Sequence, residues 1–441
     1  MPDGSQLGQQ IADLVVETYN SIQNKAAKPI VRLNGVREWT ILAGLVAIED
    51  GSLTPLTLAT GMKAMPNEVR EYSSGLIVHD LHAEILCLRM FNRLLMAEVN
   101  RLEEEELRRK TGKRLDSDGE CEFSQLKKQN LGKISDASGS TEESLGNRRG
   151  LGGASINSYG NGKSEDAEIK DEEVSESKSQ IETLLLKRNG EKFALRSGVK
   201  LALYISEPPC GDASMSHISN DEKSWEHSNT EEVVRGRAHF NTVGIVRTKP
   251  GRADSKVSYS KSCSDKLCVK QYTGILNSIS SHFVEPIYLD YLVIPALKFL
   301  EIDFRRCFQS RATGPKPPSA HFISALPFKD DKFPYKKESD ATSPLPLSYV
   351  FCAKTKESQV LQNGVKNGAY VKNKPPRKNG ASCICRQSLC QQVGAKLQQY
   401  QNYEEVKTAN IARQQLKTLV RSLLGSWPES APENFVLEHS T

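Results

Sequence analysis

Apolar residues at 11–22 recur at helical spacing: Ile11, Leu14, Val15, Tyr19 and Ile22 fall on one face and predict an amphipathic helix. The β-branched, apolar run over 39–48 predicts a buried strand, and 53–59 its hairpin partner. Helical spacing returns over 82–99, where Ile85, Leu86, Met90, Leu94 and Leu95 align. A short apolar strand is expected over 200–206, running into a strand-to-helix junction at Glu207-Pro208-Pro209-Cys210-Gly211-Asp212. Further helices are expected over 283–299 and 410–424, and loops over 216–237 and 329–343, where Pro334 and Pro344 punctuate the latter. Strands alternating with helices predict an α/β fold.

The pattern fails over 103–190. That stretch holds two aromatics, Phe123 and Tyr159, and its middle is dominated by Ser, Gly and Asn. Such a sequence buries too little apolar surface to offset its ordering entropy, apart from a stretch over 102–110 that continues the preceding helical pattern. A single domain spanning 1–441 is therefore expected, interrupted by a disordered insertion over 105–190.

Charge follows the same division. Residues 103–190 carry 15 Lys/Arg against 19 Asp/Glu, so the rest of the chain holds +9 of an overall +5. A basic body fits a polyanion-binding protein. No run of ~18 apolar residues occurs, so no membrane-spanning helix is expected. The first residues lack a basic segment followed by an apolar one, so no secretory signal is read. An intracellular location, nucleus and/or cytoplasm, is expected. The ten cysteines then point to core positions, metal ligands or reactive groups rather than a disulfide framework.

His82-Ala83-Glu84 at an expected helix start, with Pro209-Cys210 further on, carries the chemistry. A His and a Glu two apart on a first helical turn point in different directions, so one can bind metal while the other faces a substrate. Zinc nucleobase deaminases use this logic, with an H-x-E…P-C-x-x-C signature. Here the residue three after Cys210 is Ala213, so a third ligand must come from elsewhere; Cys263 and Cys268 are the first candidates, Cys87 and Cys307 the weaker ones. Three protein ligands leave one zinc position for water, whose pKa falls toward ~7. A helix N-terminus would favour the Cys210 thiolate. Glu84 would move protons. Ala381-Ser382-Cys383-Ile384-Cys385 and Cys390 lack a paired knuckle and read as reduced, partly buried thiols. His79 reads as an ordinary polar residue near the site.

The His82-Ala83-Glu84 motif, the Leu203–Ser214 stretch LYISEPPCGDAS and Ser262-Cys263-Ser264-Asp265-Lys266 together resemble the adenosine-deaminase domain of RNA-editing enzymes. Trp39–Ala43, Thr60-Gly61-Met62-Lys63 and Glu285–Leu289 agree, and the resemblance covers about 30–104 and 192–437. It implies a cytidine-deaminase-like core, a mixed sheet with zinc-binding helices, enlarged by a C-terminal extension. It implies hydrolytic deamination of adenosine to inosine, with His82, Cys210 and Cys263 on zinc and Glu84 as proton shuttle. Lys249-Pro250-Gly251-Arg252-Ala253-Asp254 is similar to the tRNA-specific branch, and nothing looks like a double-stranded-RNA-binding domain. That branch implies tRNA as partner and position 37 of alanine tRNA as target. An editor of duplex RNA and a catalytically inactive RNA-binding partner subunit are the alternatives; the intact Glu84 argues against the second. No obligate protein partner is inferred.

The resemblance further implies a buried inositol hexakisphosphate, with Arg89, Lys266 and Trp427 at matching positions. Leu88, Val269 and Lys270 depart from the residues common in relatives, and Lys372, Lys374, Arg377, Lys378 and Lys407 are candidates for replacement charge; the cluster over 372–378 reads otherwise as a solvated loop. Ile41, Thr60 and Lys63 match positions that line the target nucleoside pocket in relatives.

Overall fold

The computed structural model describes residues 4–111, 184–217, 234–236, 238–249, 254–312, 314, 318–339 and 341–437. Residues 1–104 and 184–441 form one compact unit, and 105–183 a second. In the second unit the described residues are 105–111, the end of a helix that begins at Ala83. The centre of the expected disordered insertion, 112–183, lies outside the described residues, as do 218–233 and 250–253. The ends of that insertion are regular structure: helix to Thr111, and a hairpin strand from Leu186 to Asn189.

An eight-stranded mixed sheet organises the first unit. Its strands are β1 (Leu42–Glu49), β2 (Ser52–Thr60), β3 (Lys200–Ile205), β4 (Tyr291–Pro295), β5 (Ser324–Phe328), β6 (Ser348–Cys352), β7 (Ser358–Gln362) and β8 (Val365–Lys366). They lie in the order β5-β4-β3-β1-β2-β6-β7-β8. β3, β4 and β5 run parallel, and every other neighbouring pair is antiparallel. The β1–β2 hairpin turns at Asp50-Gly51, both with positive φ (48° and 81°), the backbone that a two-residue hairpin turn requires. This hairpin matches the sequence expectation.

Both sheet faces are covered. Helix α1 (Gly4–Ser21) lays Ile11, Val15 and Tyr19 on Leu42, Val46, Leu58 and Tyr204. Full burial of such side chains contributes about 1.5–3 kcal/mol each. A Cβ at Gly44 would meet Val15 Cγ1 at 2.5 Å, so the missing side chain sets how closely α1 approaches. On the other face, helices α2 (Ala83–Thr111) and α3 (Cys263–Thr273) pack on Leu45, Leu201 and Leu203. A C-terminal helix, α4 (Ile411–Leu423), packs on α3.

The helix expected over 283–299 is a different structure. One turn, Ser280–Phe283, is followed by an extended connection, by β4, and by a short 3-10 turn at Ala296–Lys298. Leu292, Val293 and Ile294 are buried on alternate faces of the sheet. A strand covered on both sides reads as an unbroken apolar run, which periodicity does not separate from a buried helix.

Candidate metal centre and active site

Three chain segments converge at one end of the sheet. A short antiparallel ribbon pairs Met62–Ala64 with Asp80–His82, and α2 starts at the next residue. His82 therefore ends a strand rather than opening a helix, and Glu84 is the second residue of α2. Gly61 makes this junction possible: at φ 147°, a Cβ there would lie 2.3 Å from the Leu81 carbonyl and 2.5 Å from Ser348 Oγ. Cys210 follows β3, and Cys263 opens α3, whose Ser262 side chain caps the helix by accepting from Asp265 N at 3.1 Å.

The ligand-type atoms of His82, Cys210 and Cys263 all lie within 4.8 Å of one another. His82 Nδ1 is 3.7 Å from Cys210 Sγ. Cys268, the rival third candidate, is buried within α3 and outside this group. The junction after Cys210 leads into a 3-10 turn, Asp212–His217, not an α-helix. The helix end that serves Cys210 belongs to α3: the backbone N–H of Cys263 donates to Cys210 Sγ at 3.4 Å. Glu84 is buried close to Cys263, and its Oε2 has no hydrogen-bond partner among the described residues.

The two cysteine loops are fastened together. Ser264 N donates to the Cys210 carbonyl and Ala213 N to Ser264 Oγ, both at 3.1 Å. A Cβ at Gly211 (φ 100°) would lie 2.3 Å from Ser262 Oγ, so only glycine lets the loops meet this closely. Buried Arg311 joins Asp265, two residues after one cysteine, and reaches Asp212, two after the other, at 3.6 Å. Removing one partner of such a buried pair costs about 3–5 kcal/mol.

A buried charge relay backs the cluster. Lys249 Nζ donates to both Asp80 oxygens, at 2.9 and 2.8 Å, and to Cys263 Sγ at 3.1 Å. Lys266 also binds Asp80, and donates to Ser260 Oγ at 2.7 Å. Burial opposes the charge on Asp80, but Lys249 and Lys266 outweigh it and hold the carboxyl well below its usual range. A hydrogen bond from the Cys263 thiol, with His82 and Lys249 nearby, depresses Cys210 despite its burial. Burial, with the Cys210 thiolate beside it, raises Cys263 well above the ordinary thiol range. The pair thus gives up one proton readily, and the Lys249 ammonium is the group that favours loss of the second.

Beyond Lys266 lies a group of half-buried cations. Burial first, then Arg413, Lys417, Arg89 and Lys266, lowers Lys270 to about 7. Burial, then Arg421 and Arg413, brings Lys417 to about 7. Lys261 falls to about 8, chiefly through burial. Trp427 lies among them, 5.5 Å from Lys261 Nζ and 4.9 Å from the Arg421 guanidinium carbon, measured from its ring centre. Leu88 and Val269 are buried in the apolar core, whereas Lys270 joins the cations. Lys372, Lys374, Arg377 and Lys378, candidates for replacement charge, are exposed, as the reading of 372–378 as a solvated loop has it. Lys407 neighbours Lys417 and pairs with Glu404 at 2.9 Å.

The profile of the adenosine-deaminase (editase) domain matches residues 168–431. The chain belongs to this family. The editase match contains Cys210 and Cys263; His82 and Glu84 lie ahead of it. Full-length relatives extend over that part too. The chain is 33% identical to tRNA-specific adenosine deaminase 1 of Schizosaccharomyces pombe, over 98% of this chain and 97% of the relative. It is 30% identical to tRNA-specific adenosine deaminase 1 of Saccharomyces cerevisiae, over 96% and 92%. The double-stranded RNA-specific editase Adar of Drosophila melanogaster is 31% identical over 26% of this chain and 18% of its own length.

Around the editase cluster, Ile41 immediately precedes β1, Thr60 ends β2 and Lys63 is the middle residue of the Met62–Ala64 strand. Gly61 N donates to the Ile41 carbonyl at 3.2 Å, and Lys63 stands opposite Leu81, the neighbour of His82. Thr60 Oγ1 is buried without a hydrogen-bond partner among the described residues, and burial lowers the Lys63 pKa. His79 is held by the C-terminal segment: its Nε2 lies 2.9 Å from Glu433, and burial, with Arg386 and Arg70 near, lowers it to about 2. Cys383 and Cys390 are buried thiols, raised to about 12 by burial, and join no metal-type group among the described residues. Asp80 was not singled out by sequence reasoning, and Lys249 only as the first residue of the K-P-G-R-A-D stretch; the local signal for Asp80 is an acid two residues before His82.

Proposed function

We propose that this chain is a zinc-dependent enzyme that deaminates adenosine to inosine in tRNA, at position 37 of alanine tRNA. One arrangement carries the reading: three metal-type donors are gathered together, and a buried carboxylate close to Cys263 has an oxygen without a hydrogen-bond partner among the described residues. Tetrahedral zinc with nitrogen and sulfur ligands at their usual lengths sets donor atoms roughly 3.3–3.8 Å apart. The 3.7 Å between His82 Nδ1 and Cys210 Sγ fits that spacing, and a His/Cys/Cys donor set suits zinc. Zinc held by His82, Cys210 and Cys263 would supply the Lewis acidity that lets water ionise near neutral pH. Glu84 takes the proton of the attacking water on its free oxygen. It delivers protons to the ring nitrogen and to the departing amine, so that adenosine and water become inosine and ammonia. Ile41, Thr60 and Lys63 line the base pocket. An anticodon loop offers unpaired bases at little unstacking cost.

Support for tRNA comes from the two yeast relatives, whose names specify it and whose matches run almost end to end. Inositol hexakisphosphate fits the half-buried cations: Lys266, Lys270, Arg89, Arg413, Lys417 and Arg421 would face its phosphates, and like charges gathered at a partly desolvated site otherwise repel. We place the enzyme in the nucleus and/or cytoplasm, where tRNA is found.

The test is to incubate purified protein with total tRNA and to map inosine by sequencing. New inosine at position 37 of alanine tRNA is expected. Inosine at other tRNA positions removes the site assignment, and none in any tRNA removes the function.

A further inference from the structure

We propose that the loop over 366–380 is a docking surface for the phosphate backbone of the RNA substrate. The proposal rests on the tRNA reading above. From residue 358 to residue 403 the chain has seven Lys/Arg and no Asp or Glu. Four of these cations, Lys372, Lys374, Arg377 and Lys378, are exposed, and none is joined to a carboxylate among the described residues. A solvated surface ordinarily intersperses both signs. A run of one sign that nothing neutralises leaves its field for an outside polyanion.

The loop is built to present those charges. Lys366 N donates to the Gly380 carbonyl at 2.9 Å and Arg377 N to the Ala369 carbonyl at 3.1 Å, closing the loop on itself. Lys366 Nζ donates to the Asn379 carbonyl at 2.9 Å, so this cation braces the loop. Positive φ at Gly368, Asn373 and Asn379 (82°, 57° and 60°) makes the turns. The four exposed cations therefore project from a closed backbone, which reduces the ordering entropy lost when they meet a ligand.

Its position relates it to the catalytic segment. Val78 N donates to the Gly364 carbonyl at 2.9 Å, four residues ahead of His82. A Cβ at Gly364 (φ 84°) would lie 2.3 Å from the Val78 carbonyl, so the loop's root and the strand leading to His82 are in direct contact. RNA is the occupant this arrangement favours: apart from Tyr370 and Val371 the stretch between Gly368 and Gly380 offers no large apolar side chain for a protein or lipid surface, and its charges are spaced over several residues, as phosphates are.

The experiment replaces Lys372, Lys374, Arg377 and Lys378 together with Gln and measures tRNA binding across a salt series, with deamination and thermal stability alongside. Each phosphate contact contributes roughly 0.7–0.9 to the slope of log affinity against log salt, so losing two to four contacts flattens it by about 1.5–3.5. The expected result is that flattening, with KM for tRNA raised about tenfold or more, and kcat, zinc content and melting temperature unchanged. A variant whose slope and KM equal those of the unmodified protein overturns the proposal. Inosine formation by the unmodified protein reports separately on the tRNA reading: its absence sinks that reading, while the slope comparison still decides the loop.

Discussion

Lys249 Nζ lies 3.1 Å from Cys263 Sγ. The same ammonium chelates both oxygens of Asp80, so one buried cation ties a cysteine of the metal cluster to a carboxylate that also holds Lys266. Burial would disfavour the charge on Lys249, but Asp80 and the two thiols overcome it and raise its pKa. Lys249→Met should lower stability by roughly 3–5 kcal/mol, because Asp80 loses its bidentate partner in a buried site. It should also weaken metal binding, since the sulfur loses its neighbouring positive charge. Denaturant unfolding and zinc competition with a chelator measure the two effects; native-like values for both would show that the relay is idle.

Glu84 and the three donors are separable by substitution. Glu84→Gln keeps the shape of the side chain and all three ligand-type atoms, but removes the proton acceptor. Zinc content near one per chain should persist while inosine formation falls by about 10²–10⁴-fold, the range for a positioned general acid–base. Loss of zinc from this variant would make Glu84 a ligand instead.

The third donor has a direct comparison within α3. Cys263 sits at the first turn with its sulfur in the cluster, and Cys268 faces the apolar core with its thiol raised to about 12 by burial. Cys263→Ser should leave the purified protein short of zinc, because a hydroxyl is a much poorer zinc ligand than a thiolate. Cys268→Ser should keep its zinc and lose some stability through a buried hydroxyl. Elemental analysis of both proteins checks the assignment, and the reverse pattern would overturn it.

These contrasts also show where the sequence was readable. The motifs His82-Ala83-Glu84, Pro209-Cys210 and Ser262–Lys266 named the cluster, because short segments fix their own local geometry. The β1–β2 hairpin was readable for the same reason. Strand β4 was not, since burial on two faces erases the alternation that marks a strand. The relay was hidden because Asp80, Lys249 and Lys266 meet only through the fold. The cation group left one signal that went unread. Arg413, Lys417 and Arg421 repeat at four-residue spacing along α4, and like charges so placed destabilise a helix unless something anionic faces them. The cations at 372–378 read as a solvated loop or as replacement charge, and sequence alone does not separate the two, because it gives charge without its depth.

The same half-buried cations make a prediction about pH. Lys270 and Lys417 are lowered from 10.5 to about 7 in the folded chain, by burial and by their cationic neighbours. A lysine whose folded pKa is depressed binds its proton more tightly when unfolded. Between about pH 7 and pH 10 the unfolded chain therefore holds more protons than the folded one, and stability rises with pH across that window. Below about pH 7 both states are protonated and the full destabilising effect is present. A bound polyphosphate reverses the balance, because its negative charge favours the protonated lysines and stabilises only the folded state. Protein freed of polyanion should accordingly become more resistant to urea from pH 7 to pH 9.5. The same protein with added inositol hexakisphosphate should be more stable at pH 7 and should lose that pH-dependent gain. Urea midpoints for the two preparations at several pH values decide the matter. A flat profile without polyanion would mean that the cations are hydrated rather than partly desolvated, and an unchanged profile with it would remove inositol hexakisphosphate as their partner.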